Sequence, residues 1–116
     1  MRRVDATQRL RAVQASESPD QLTLALDDPS PEVVRAAIDR LVELEGRGAA
    51  APLRARLFDV DLSLVADVAN VLRRIGDSGV IEVAIAALGD RRYSRRLAAV
   101  RALGALAEPD RCGHRG

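Results

Sequence analysis

The chain has 116 residues, 47% of them hydrophobic and 30% charged, enough for one globular domain and too short for two ordinary ones. Aromatic residues make up 2%, carried by Phe58 and Tyr93 with no Trp, so a core has to be built from Leu, Val, Ile and Ala. The 18 basic residues are all Arg, against 17 acids, and the net charge of +1 implies no general affinity for polyanions.

The apolar runs fall far short of the roughly 20 residues that span a bilayer, and no N-terminal stretch has the apolar centre of a signal peptide. One cysteine, Cys112, and one histidine, His114, exclude an internal disulfide and a Cys/His-only zinc site. A cytoplasmic protein without membrane, metal or cofactor is therefore expected. Arginine-only, alanine-rich usage points to a GC-rich bacterial coding sequence.

In chain order, a helix is expected over residues 3–14. A shorter one follows over 19–26, with Pro19 in the first turn, where a missing N–H costs least. The clearest element covers Pro31–Glu45: Val33, Val34, Ala37, Ile38, Leu41, Val42 and Leu44 share one half of a helical wheel, and charged residues fill the other. Ser30 and Pro31 suit its N-cap and first turn, Glu32 suits the positive end of its dipole, and Gly46 and Gly48 supply its stop. Further helices are expected over 50–58, 61–75, 80–88 and 93–107, with Gly76 closing the second of these. The connections (27–30, 46–48, 77–79, 89–92) are short, and no sustained alternation of period two predicts a strand.

The chain repeats itself. At an offset of 31 residues Leu10, Leu41, Leu72 and Leu103 align, followed three residues later by Val13, Leu44, Ile75 and Leu106. Four residues before each leucine stand Ala6, Ala37, Val68 and Ala99. Leu26, Leu57 and Leu88 form a second column, with Asp28, Asp59 and Asp90 two residues on. Each repeat reads as a helix pair, so the expectation is an all-α fold: a short right-handed α-α superhelix of about three and a half pairs over residues 1–108. Residues 109–116 form a flexible tail in this reading.

The run Asp28-Pro29-Ser30-Pro31-Glu32-Val33-Val34-Arg35-Ala36-Ala37, with Leu41 after it, resembles the core motif of HEAT-like repeats. It is closest to the short variety named after the phycobilisome bilin lyases. The copies Asp59…Val68…Leu72 and Asp90…Ala98-Ala99…Leu103 match more loosely. The resemblance covers about residues 4–107 and implies an armadillo-type solenoid, a fold that serves scaffolds, enzyme subunits and nucleic-acid proteins alike. In the third copy Arg95 and Arg96 stand where the first two have Val33 and Leu64, and Val34 and Val65. Either that helix starts late or turns so that Tyr93, Leu97 and Val100 fill the core, or it opens with a basic turn.

Arg91, Arg92, Arg95, Arg96 and Arg101 place five positive charges and no acid within residues 91–101. They read either as an anion patch or as solvated side chains covering the end of the stack, one of them paired to Asp59 or Asp90. Balanced total charge and the lack of interleaved aromatics disfavour nucleic acid. Residues 17–45 hold eight acids against two arginines, a net of −6, which is a solvated face or a complement to the basic end, in trans or toward other partners. Successive repeats would hold Asp28, Asp59 and Asp90 about 10 Å apart, the spacing of packed helices and too wide for one metal ion. Capping the next helix, or pairing with an arginine such as Arg35, accounts for them. Cys112 and His114 could form a metal half-site or a reactive thiol, though a polar, glycine-rich end reads as disordered. No catalytic constellation is present.

The reading is a non-enzymatic scaffold that holds a protein or peptide on the concave side of the solenoid. The outward ridge Arg35, Asp39 and Glu43 maps by the 31-residue period onto Ala66, Asn70 and Arg74, then onto Leu97, Arg101 and Ala105. Partner binding is expected at Arg35, Asn70, Arg74, Leu97 and Arg101, with Arg91, Arg92, Arg95 and Arg96 as the anion patch. An accessory subunit of a bilin-lyase-like enzyme and a nucleic-acid binder are the alternatives. The chain is expected to be a monomer, or to associate weakly through the ends of the stack.

Overall fold

A computed structural model describes residues 5–107. The helices are α1 (Ala6–Ala15), α2 (Pro19–Ala25), α3 (Pro31–Glu45), α4 (Ala50–Arg56), α5 (Leu62–Arg74), α6 (Gly79–Ala87) and α7 (Tyr93–Ala107), with a 3-10 turn at Gly46–Ala49. Among the described residues there is no strand, and no helix is long and apolar enough to cross a membrane. The fold is all-α. The expected tail, with Cys112 and His114, lies outside the described residues, as does the start of the first expected helix.

Short polar side chains begin several of these helices by accepting otherwise unpaired N–H groups. Asp5 accepts from the Gln8 N–H at 2.9 Å, Ser18 from that of Gln21 at 3.3 Å, and Asp61 from that of Ser63 at 2.9 Å. Ser30 stands at the N-cap of α3, but its side chain makes no capping bond. Asp28 accepts from the N-cap residue's own N–H, that of Ser30, at 2.9 Å, which fixes the turn leading into α3. At the other end of α3, Gly46 adopts φ +55° and its N–H donates to the Val42 carbonyl. Glycine tolerates such a φ without steric cost. The chain then runs through the 3-10 turn straight into α4 and buries Ala49, so residues 46–48 are a structured turn rather than an open connection.

Packing follows chain order. The odd-numbered helices touch in succession, α1 to α3, α3 to α5 and α5 to α7, while α2, α4 and α6 each pack against the odd helix that follows. Leu41 and Leu72 are buried, as are Leu26 and Leu57 of the second column. Leu10 and Leu103 are only partly covered, because each lies in an outermost helix of the series. No polar or charged side chain is buried among the described residues.

The third repeat departs from the first two. α7 starts at Tyr93 and buries only Ala98, Ala99 and Ala102. Tyr93 is 69% exposed and Val100 57%, so neither fills the core, and Leu97 is half-buried. Of the alternatives for Arg95 and Arg96, the basic turn is the one that forms. Leu88 is 41% exposed, unlike its counterparts Leu26 and Leu57.

Candidate functional site

The outward sides of α3 and α5 carry most of the predicted ridge. Arg35 donates to Asp67 at 2.8 Å across the two helices, a half-exposed ion pair of small energetic weight. Together with Ile38, Asp39, Asn70 and Arg74, this pair borders a hollow of about 330 Å³. A second hollow of about 380 Å³ adjoins it, with Val42, Glu43, Val71 and Ile75 beside Asp39 and Arg74. A third, of about 390 Å³, reaches toward α1 and is lined by Gln14, Ala36, Asp39, Arg40 and Glu43. Asp39 borders all three, so they make one shallow trough across α1, α3 and α5.

The trough has an apolar floor and a rim of both signs. Arg35, Arg40 and Arg74 face Asp39, Glu43 and Asp67 along it. Arg40 is held in place, donating to the Ser16 carbonyl at 2.8 Å and to Glu43 at 2.9 Å. Among the described residues Asp39 and Arg74 form no ion pair, which leaves one charge of each sign unmet at the centre. The structure thus brings Arg35, Asn70 and Arg74 around one hollow. That hollow does not include Leu97 or Arg101. Leu97 is half-buried rather than the exposed leucine the ridge required, and Arg101 is exposed on α7.

The basic cluster is largely satisfied within the chain. The Arg95 guanidinium lies 5.6 Å from the centre of the Phe58 ring and pairs with Asp59 at 2.7 Å and Asp90 at 3.2 Å. Arg96 donates to the carbonyls of Asp90 and Arg91, both at 2.9 Å, and stands 5.7 Å from the centre of the Tyr93 ring. Arg92 reaches Asp90 at 3.4 Å. Cations at a helix N-terminus oppose the helix dipole, and these partners offset that cost. Of the anion patch, Arg91 alone has no such partner among the described residues.

The repeated aspartates hold arginines and backbone N–H groups. Asp28 accepts two bonds from Arg9, at 2.8 and 3.1 Å, so its partner is Arg9 and not Arg35. The Arg9 hydrogen bond holds the Asp28 carboxyl below the usual carboxylate range, with the Ser30 N–H adding to it against the opposing effect of burial. Asp90 is lowered chiefly by accepting from the Arg92 N–H at 2.8 Å, and Asp61 by accepting from the Ser63 N–H and hydroxyl. Among the described residues, no group of three or more His, Cys, Asp or Glu could hold a metal ion.

Sequence reasoning missed a hollow of about 620 Å³, which opens between α4 and α6. Ala51, Ala55, Ala86 and Ala87 line it together with Phe58, Arg54 and Arg95. Small residues on facing sides of two successive short helices were the available signal. No protein-family model, curated protein or solved structure matches the chain.

Proposed function

We propose that this chain is a non-enzymatic interaction module, a short HEAT-like solenoid that holds a protein or peptide segment along the trough formed by α1, α3 and α5. The observation that carries this reading is the continuity of the three hollows through Asp39, with apolar residues below and charges of both signs along the edge. Such a surface fits an amphipathic segment that presents apolar side chains to the floor and opposite charges to Asp39 and Arg74. In this reading the module is cytoplasmic, and Leu97 and Arg101 extend its contact beyond the trough. The test is affinity purification with the full chain as bait, followed by titration of the recovered protein against Arg74→Glu, Arg101→Glu and the double variant. Folded Arg74→Glu and the double variant should bind at least about tenfold more weakly, the loss expected of a central charged contact, and Arg101→Glu alone less so. Unchanged affinity in the double variant rules the surface out.

A further inference from the structure

We propose that the occupant of the trough is an amphipathic helix of a partner protein, lying between α3 and α5 and antiparallel to both, with an acid about one turn ahead of a base. This rests on the trough being the binding surface and adds the form, direction and charge order of the bound segment. α3 and α5 run side by side in the same direction. Arg35 pairs with Asp67 near their starts, whereas Val42 and Glu43 share a hollow with Arg74 and Ile75 near their ends. Ile38 and Val42 on one side, and Val71 and Ile75 on the other, are spaced i, i+4 and form two apolar rows along this groove. Each row steps about 6 Å per turn, the spacing of side chains four apart on a third helix. Val42 and Ile75 are half-buried, so the rows open most toward the C-terminal ends. The hollow toward α1 has only Ala36 as an apolar lining residue, so apolar contact concentrates between α3 and α5.

Backbone chemistry selects a helix. The groove walls are themselves helices, whose N–H and C=O groups are bonded internally, so they present no free edge to a strand. The polar side chains there are largely committed: Arg35 to Asp67, Glu43 to Arg40 at 2.9 Å, and the Asn70 amide oxygen to Arg73 at 3.4 Å. An extended segment would lay unpaired backbone groups over the apolar rows, a cost that a helix avoids by bonding its own backbone. Charge sets the direction. Asp39 and Arg74 are exposed and form no ion pair among the described residues. Arg74 lies one repeat period and one further turn after Asp39, so it stands about 6 Å nearer the C-terminal ends of the groove. A helix antiparallel to α3 and α5 meets Arg74 first and Asp39 about one turn later, so its acid precedes its base. That order is also the favourable one for a pair within a helix. The same direction brings the positive N-terminus of the occupant to the negative C-terminal ends of α3 and α5. A parallel helix would need base before acid, with all three dipoles aligned.

The experiment selects ligands for the full chain from a displayed library of peptides of about 20 residues, long enough to fold as helices. Helix-forming and proline-containing extended sequences are present in equal number, with no charge order imposed. Selected peptides should gain helical dichroism on binding and carry an acid about three to five residues before a base, among apolar positions spaced i, i+4. They should bind Arg74→Glu and Asp39→Arg about tenfold more weakly. A photo-crosslinker on the N-terminal residue of such a peptide should attach to residues 42–46 or 73–76 of the native chain. Circular dichroism checks that the variants keep their helix content, and the crosslink needs no variant. Suppose that binding depends on Arg74 but the peptide stays extended, shows no such charge order, or attaches by its N-terminus near Arg35 and Asp67. The proposal is then overturned and the trough stands as the binding surface. If no ligand is selected, or if the folded variants bind every selected peptide as the native chain does, both fall.

Discussion

Leu72 has no solvent-exposed surface, and it repeats Leu41 at the same register of the preceding long helix. Removing three of its carbons leaves a cavity in a core that has no aromatic ring nearby to slump into the space beyond Phe58. Leu72→Ala should therefore cost about 2–5 kcal/mol in denaturant unfolding. A near-silent substitution would mean that the repeat register is misplaced. Asp28 governs a different variable. Its folded-state pKa lies below the unfolded value of about 3.9, chiefly through the Arg9 hydrogen bond, so the carboxylate contributes stability above that pH. That contribution is lost as pH falls through the folded-state value, and stability should decline from about pH 4 downward. Asp28→Asn should flatten this acid limb, as read from melting temperatures measured between neutral and acid pH.

At the scale of the element, α5 is the most completely determined helix. It begins on the Asp61 carboxylate and ends in a Schellman motif, in which the Gly76 N–H donates to the Arg73 carbonyl at 3.1 Å and the Asp77 N–H to that of Leu72 at 2.9 Å. Gly76 holds φ +85° there, so Gly76→Ala should destabilise the protein by about 1–2 kcal/mol, measurable by denaturant melting. The limits of α3 were legible because apolar spacing and the flanking proline and glycine agree at both ends. The turn at residues 46–49 was not, since glycines that stop a helix are the same glycines that tighten a 3-10 turn. The trough was legible through Arg35, Asn70 and Arg74, because the 31-residue period preserves which side of a helix faces outward. The period did not carry through to Leu97, because α7 packs through Ala98, Ala99 and Ala102 and, among the described residues, no further helix lies against its outer side. Exposure at a terminal repeat depends on what lies beyond it, and periodicity holds no record of that.

Across the whole molecule, cover thins toward both ends. α1 buries only Val13 and α7 only three alanines, whereas α3 and α5 bury most of the large aliphatic side chains. Helices that touch mainly their neighbours open from the ends inward. Native-state hydrogen exchange at low protein concentration should find the slowest amides in α3 and α5, and faster exchange in α1 and α7. Equal protection of α1 and α5 would contradict this gradient. The ion pairs follow the chain's repetition. Arg56–Asp27, Arg35–Asp67 and Arg95–Asp59 each tie neighbouring repeats across about one period. Being partly exposed, they set orientation more than they add stability.

The placement of Tyr93 has an optical consequence. The chain has no tryptophan and a single tyrosine, whose ring is 69% exposed at the start of α7, beside Arg96. Tyrosine absorbance and emission therefore come from one point on the surface. Because that point is already wet in the native state, unfolding should scarcely alter its spectrum, and a tyrosine-monitored melt would look almost flat while helical dichroism collapses. The same ring makes an intrinsic, label-free reporter of anything that settles over the last helix pair, and it is blind to events at the other end of the molecule.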